Sequence, residues 1–158
     1  MTTQEPATEA TPAPTFFGPR PASVLLLILG IVYFVFAALN LWLAGVSSTR
    51  ATEYRGHPQY QQQFERTSTR LYWSGFWNIL VGGLCICARA GLKRGAPVGI
   101  GGSALLIATA MCITARTWVA AMLHGQAHMA WIEPLLVWPC LIYALICAYR
   151  EGRRERTA

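Results

Sequence analysis

Four apolar runs, each about as long as a bilayer's hydrocarbon core is thick, constrain this chain more than anything else in it. They fall at about 21–45, 71–90, 98–123 and 131–149. At ~1.5 Å of rise per residue, a helix of about 20 residues spans the ~30 Å of hydrocarbon. Backbone N–H and C=O groups find no partners in lipid, so each run is expected to be helical. The chain therefore reads as an all-α integral membrane protein, a four-transmembrane-helix bundle. Composition agrees: 54% of residues are hydrophobic and 13% charged, with no aspartate, where soluble domains carry about 25% charge.

Each run has its own grain. The first is near-continuous from Val24 to Val46, broken only by Gly30 and Asn40. Tyr33, Ala37, Asn40 and Ala44 fall on one face, a small-and-polar stripe suited to meeting other helices. The second opens with Tyr72, Trp73, Phe76 and Trp77, and Asn78, Gly82, Cys85 and Arg89 share a face. Gly75, Gly82 and Gly83 would let a neighbour approach closely. The third begins loosely at Gly99, Gly101 and Gly102. The fourth carries Pro134 in its first turn and Pro139 inside, where a kink is expected.

Outside the runs, residues 1–19 are rich in Thr, Pro, Ala and Glu without periodicity and read as a disordered cytoplasmic tail. Residues 20–150 form the membrane domain, and 151–158 a polar cytoplasmic tail. One larger loop, Ser47 to Arg70, joins the first two helices. Its part from Gln59 to Arg70 fits either a short helix on the bilayer surface, with Tyr60 and Phe64 together at i,i+4, or a plain solvated loop.

Topology follows from the short basic flanks. Arg20, Arg89, Lys93, Arg94, Arg150, Arg153, Arg154 and Arg156 share one side of a four-span chain; Arg50, Arg55, Arg66 and Arg70 lie on the other. Both termini are thus expected in the cytoplasm, with the 47–70 loop and the 124–130 connector outward, in a cytoplasmic (inner) cell membrane.

Several classes drop out. The net charge of +6 sits beside the apolar runs, so it reports orientation and no nucleic-acid partner is expected. The cysteines, Cys85, Cys87, Cys112, Cys140 and Cys147, all lie in apolar runs and suggest no disulfide framework. Cys85 and Cys87 point to different sides of a helix, which does not suit a redox pair. Without aspartate there is no Ser/His/Asp triad, and Gly99 to Gly102 lacks the strand and the Lys-Ser/Thr of a phosphate loop. His124 and His128 have i,i+4 spacing, but only Glu133 lies near as a third ligand, so neither metal nor cofactor is expected.

One constellation remains. In the expected topology Asn40, Asn78, Arg116 and Glu133, one from each helix, fall at similar depth in the outward half, with Trp77 and Trp118 beside them. Ionisable residues inside a membrane mark function by default. The expected site is an outward-opening polar pocket, with Arg116 binding an anion or carbonyl and Glu133 as counter-ion or proton acceptor. A structural Arg116–Glu133 ion pair would account for both residues without a ligand. No catalytic signature is present, so the expected role is a binding or accessory subunit in contact with the bilayer, with self-association or a larger membrane complex as its setting. An oligomeric pore using the small faces at Gly75, Gly82, Gly99 and Ala144 is the first alternative. A membrane enzyme acting on a lipid or quinone, with Glu133 as base, is the second.

Overall fold

The computed structural model describes the chain over 19–94, 97–123 and 132–157, and its side chains over 20–94, 99–123 and 135–153. Four helices account for nearly all of it: α1 (Pro19–Glu53), α2 (Pro58–Arg94), α3 (Pro97–Leu123) and α4 (Ile132–Thr157). All four are long and apolar enough to cross a membrane. They form an antiparallel ring in which each helix packs on the next and α4 returns to α1. The N-terminal tail and the 124–130 connector lie outside the described residues.

The closest seam is α1 against α2. A small residue recurs every seventh position on each: Gly30, Ala37, Ala44 and Ala51 on α1, and Ser68, Gly75 and Gly82 on α2, all buried. They meet in strict antiparallel register. A Cβ added at Gly82 would lie 3.1 Å from the Gly30 carbonyl oxygen, and one at Gly75 would lie 3.4 Å from that of Ala37. One step further, the Ser68 hydroxyl donates to the Ala44 carbonyl at 3.0 Å. A seven-residue repeat is the period of a left-handed supercoil, and small residues let the two backbones approach.

That seam corrects the expected loop. α1 has 35 residues and α2 has 37, or about 53 and 56 Å of helix at 1.5 Å per residue, far beyond ~30 Å of hydrocarbon. Residues 47–53 and 58–70 are neither loop nor surface-lying helix. They continue α1 and α2 as a two-helix hairpin, closed by the turn Tyr54 to His57. Local bonds hold its polar residues in helix: Gln61 Nε2 donates to Glu65 at 2.9 Å, and the Thr67 and Thr69 hydroxyls donate to the carbonyls of Gln63 and Glu65.

In the turn the His57 amide donates to the Tyr54 carbonyl at 2.9 Å, and the His57 carbonyl accepts the first bond of α2 from Gln61. Pro58 then occupies the first helical position, where a missing N–H costs nothing. Tyr54 packs on both Tyr60 and Phe64, with ring centroids 6.0 and 5.6 Å apart, and so caps the hairpin. The pairing expected of Tyr60 and Phe64 is thus mediated by a residue from the turn.

The other seams are equally specific. Gly91 and Gly99 bring α2 and α3 together, and the Ser103 hydroxyl donates to the Ala88 carbonyl at 2.8 Å. Between α3 and α4, Trp138 Nε1 donates to the Thr114 hydroxyl at 3.2 Å. Gly75, Gly82, Gly99 and Ala144 are therefore turned to neighbours within one chain. α4 continues through Pro139 to Thr157, so most of the expected C-terminal tail is helix.

The apolar core occupies the half of the bundle toward the chain termini, around Leu26, Val81, Cys85, Ile107, Leu141 and Ala144. Toward the hairpin it gives way to polar side chains. Exposed Trp42, Tyr72 and Trp73 mark that edge of the apolar belt, and exposed Tyr149 lies toward the other.

The seams predict opposite outcomes for neighbouring glycines. At Gly91 an added Cβ would lie 2.7 Å from the Gly99 carbonyl oxygen, whereas at Gly83 it meets nothing within 4 Å. Gly91→Ala and Gly82→Leu should each cost about 1–3 kcal/mol, as overpacking does. Gly83→Ala should be neutral or slightly stabilising. Thermal unfolding in detergent checks this, and equal effects at the three positions would refute the seam.

Candidate functional site

Where the hairpin leaves the four-helix bundle, α2 and α3 diverge around a groove of about 500 Å³. α2 supplies Thr67, Arg70, Leu71, Ser74 and Trp77; α3 supplies Arg116, Thr117, Ala120 and Ala121. The α2 positions 67, 70, 74 and 77 alternate by three and four, which keeps them on one stripe of a helix. Residues 116, 117, 120 and 121 form two adjacent i,i+4 pairs on one face of α3.

Arg116 is the anchor. Its guanidinium carbon sits over the Trp77 ring, 4.8 Å from the centroid. This cation–π contact fixes the charge at the groove wall and contributes ~0.5–1 kcal/mol at an exposed site. Arg70 lies seven residues before Trp77 on α2, about two turns nearer the hairpin tip. Among the described residues no carboxylate pairs with either arginine. The groove thus presents two cations and, among those residues, no built-in anion.

Beneath it lies a smaller cavity of about 110 Å³, lined by Tyr33, Ser74, Trp77, Asn78, Val81, Ile113 and Thr117. Ser74, Trp77 and Thr117 line both spaces, so the cavity is the groove's floor. It is large enough for water, and its polar lining suits water. Asn40 reaches across from α1, its Nδ2 donating to Ser74 Oγ at 3.0 Å. Ser74 spends a lone pair there and keeps its own O–H to give elsewhere.

Of the expected layer, the structure gathers Asn40, Asn78, Trp77 and Arg116 around this groove and its floor. Glu133 lies in the first turn of α4, but its side chain is outside the described residues, so the expected Arg116–Glu133 contact lies outside them too. His124 and His128 also fall there. Trp118 stands elsewhere: it packs edge-on against Trp138 of α4, centroids 6.0 Å apart. Successive residues on a helix point about 100° apart, and the neighbouring position that faces the groove is Thr117.

Sequence reasoning misses Arg70, Ser74, Thr67 and Thr117. Placing Arg70 in a loop cuts the α2 stripe between 70 and 71. The three-four spacing of 67, 70, 74 and 77 is the available signal, and it becomes visible once α2 is taken as one helix.

The Arg116–Trp77 contact is open to a double-mutant cycle. Arg116→Gln and Trp77→Leu, alone and combined, should show a coupling of about 0.5–1 kcal/mol in detergent unfolding; strict additivity would mean that the two do not interact. Compared with known proteins, the chain matches no family model, no curated protein and no solved structure.

Proposed function

We propose that this is a small multi-pass protein of the cytoplasmic membrane that works by binding, as an accessory or ligand-binding subunit, through the α2–α3 groove. The observation that carries this reading is the pair of arginines on one groove, Arg116 held over Trp77 and neither paired with a carboxylate among the described residues. A cation kept at a fixed place in an otherwise apolar segment is costly, and a ligand anion is what makes the cost useful.

Orientation in this reading follows the basic flanks. The end of the bundle with the termini and the α2–α3 turn carries the larger share of Lys and Arg and faces the cytoplasm. The hairpin and the mouth of the groove then face outward.

Arg116→Ala should abolish co-purification of the bound subunit or ligand in mild detergent while membrane insertion is kept. Arg66→Ala, an equal charge loss on the hairpin outside this groove, should change neither. Retention of the bound species in Arg116→Ala would overturn the groove as the binding site. Orientation is checked separately on a cysteine-free background. An impermeant maleimide added to intact cells should label a cysteine placed at Gly56 and spare one placed at Gly152; the reverse pattern would invert the topology.

A further inference from the structure

We infer that the groove takes the phosphate head group of an anionic membrane phospholipid, with Arg70 and Arg116 as its cationic contacts. This rests on the reading of the groove as the binding site and names the class of its ligand.

Charge and depth both suit a phosphate head group. A guanidinium fork matches the oxygens of a phosphate, which it can bind bidentately. Arg70 stands just before Tyr72 and Trp73, exposed aromatics at the edge of the apolar belt, where head groups lie. Arg116 stands deeper on the same groove. A phosphate entering from the interface meets Arg70 first and Arg116 next.

The level of the groove adds to this. It is lined by α2 and α3 alone, and Arg70, Arg116 and Ala120 on its two sides are exposed, so its mouth lies between these two helices at the aromatic edge of the apolar belt. A lipid whose head group sits at that edge is already beside the mouth, whereas a soluble anion is not held there. Below Ser74 and Thr117 the wall passes to the apolar Val81 and Ile113.

The floor of the groove suits the rest of the molecule. The small cavity at Tyr33, Asn78 and Thr117 places polar groups just beneath the head-group level. Ser74, accepting from Asn40, retains a hydroxyl proton for a ligand oxygen. Polar atoms at that depth suit the glycerol and ester oxygens of the same molecule.

The test uses the full chain purified in a neutral detergent and titrated with phosphatidylglycerol, phosphatidylcholine or inorganic phosphate, read by native mass spectrometry and thermal unfolding. Phosphatidylglycerol should bind and stabilise. Arg70→Gln and Arg116→Gln should each weaken it about tenfold (~1.4 kcal/mol), and Arg66→Gln should leave it unchanged. Arg70 lies at the margin of the bundle, so its variant reports even if Arg116→Gln unfolds. Equal binding of phosphatidylcholine, displacement of the lipid by equimolar inorganic phosphate, or an equal loss in Arg66→Gln would each overturn the assignment. If the lipid assignment fails while Arg116→Ala still loses its co-purifying species, the groove stands with another ligand. Retention of that species would remove the groove reading itself.

Discussion

The near-contact of the α1 and α2 backbones is the constraint on which the rest of this bundle depends. Helices in lipid gain little from burying apolar side chains, because the solvent is as apolar as they are; close packing and interhelical hydrogen bonds must do the holding. Gly30, Gly75 and Gly82 supply the first and Ser68 the second. The repeat does not stop where the apolar residues do. Ala44, Ser68 and Ala51 carry the same register into the polar hairpin, so one packing rule serves two environments.

The groove follows from that arrangement. α2 is pinned to α1 along its whole length and to α3 chiefly at Gly91, Gly99 and Ser103, near the other end. Two helices joined tightly at one end separate toward the other, and the space between them fills with long or polar side chains. Arg116, Trp77 and Ser74 occupy that space. The apolar core at Cys85, Ile107 and Leu141 closes the opposite half.

Helix number and type were legible because apolar runs of bilayer length leave a chain no other choice. The small stripe of α1, including Ala37 and Ala44, and the packing glycines of α2 could also be read, as could the opposite facing of buried Cys85 and exposed Cys87. Helix ends could not. Polarity at Ser47 and Gln59 signals the end of hydrocarbon, and that is a different boundary from the end of a helix. Gln61, Glu65, Thr67 and Thr69 satisfy hydrogen bonds locally and let α2 begin 13 residues before Leu71, at Pro58. The same confusion hides Arg70 from the site. Trp118 fails for another reason: depth along α3 is readable from the sequence, but depth alone cannot say whether Trp118 or Thr117 looks toward α2.

One consequence of the unbroken α2 is mechanical. The residues that cap the hairpin, Tyr60 and Phe64, and those that wall the groove, Arg70, Ser74 and Trp77, belong to the same rod. The α1 seam at Ser68, Gly75 and Gly82 backs that rod from the hairpin down past the groove. Whatever grips the hairpin therefore holds one wall of the slot beside Arg116, and α1 stiffens that wall from behind.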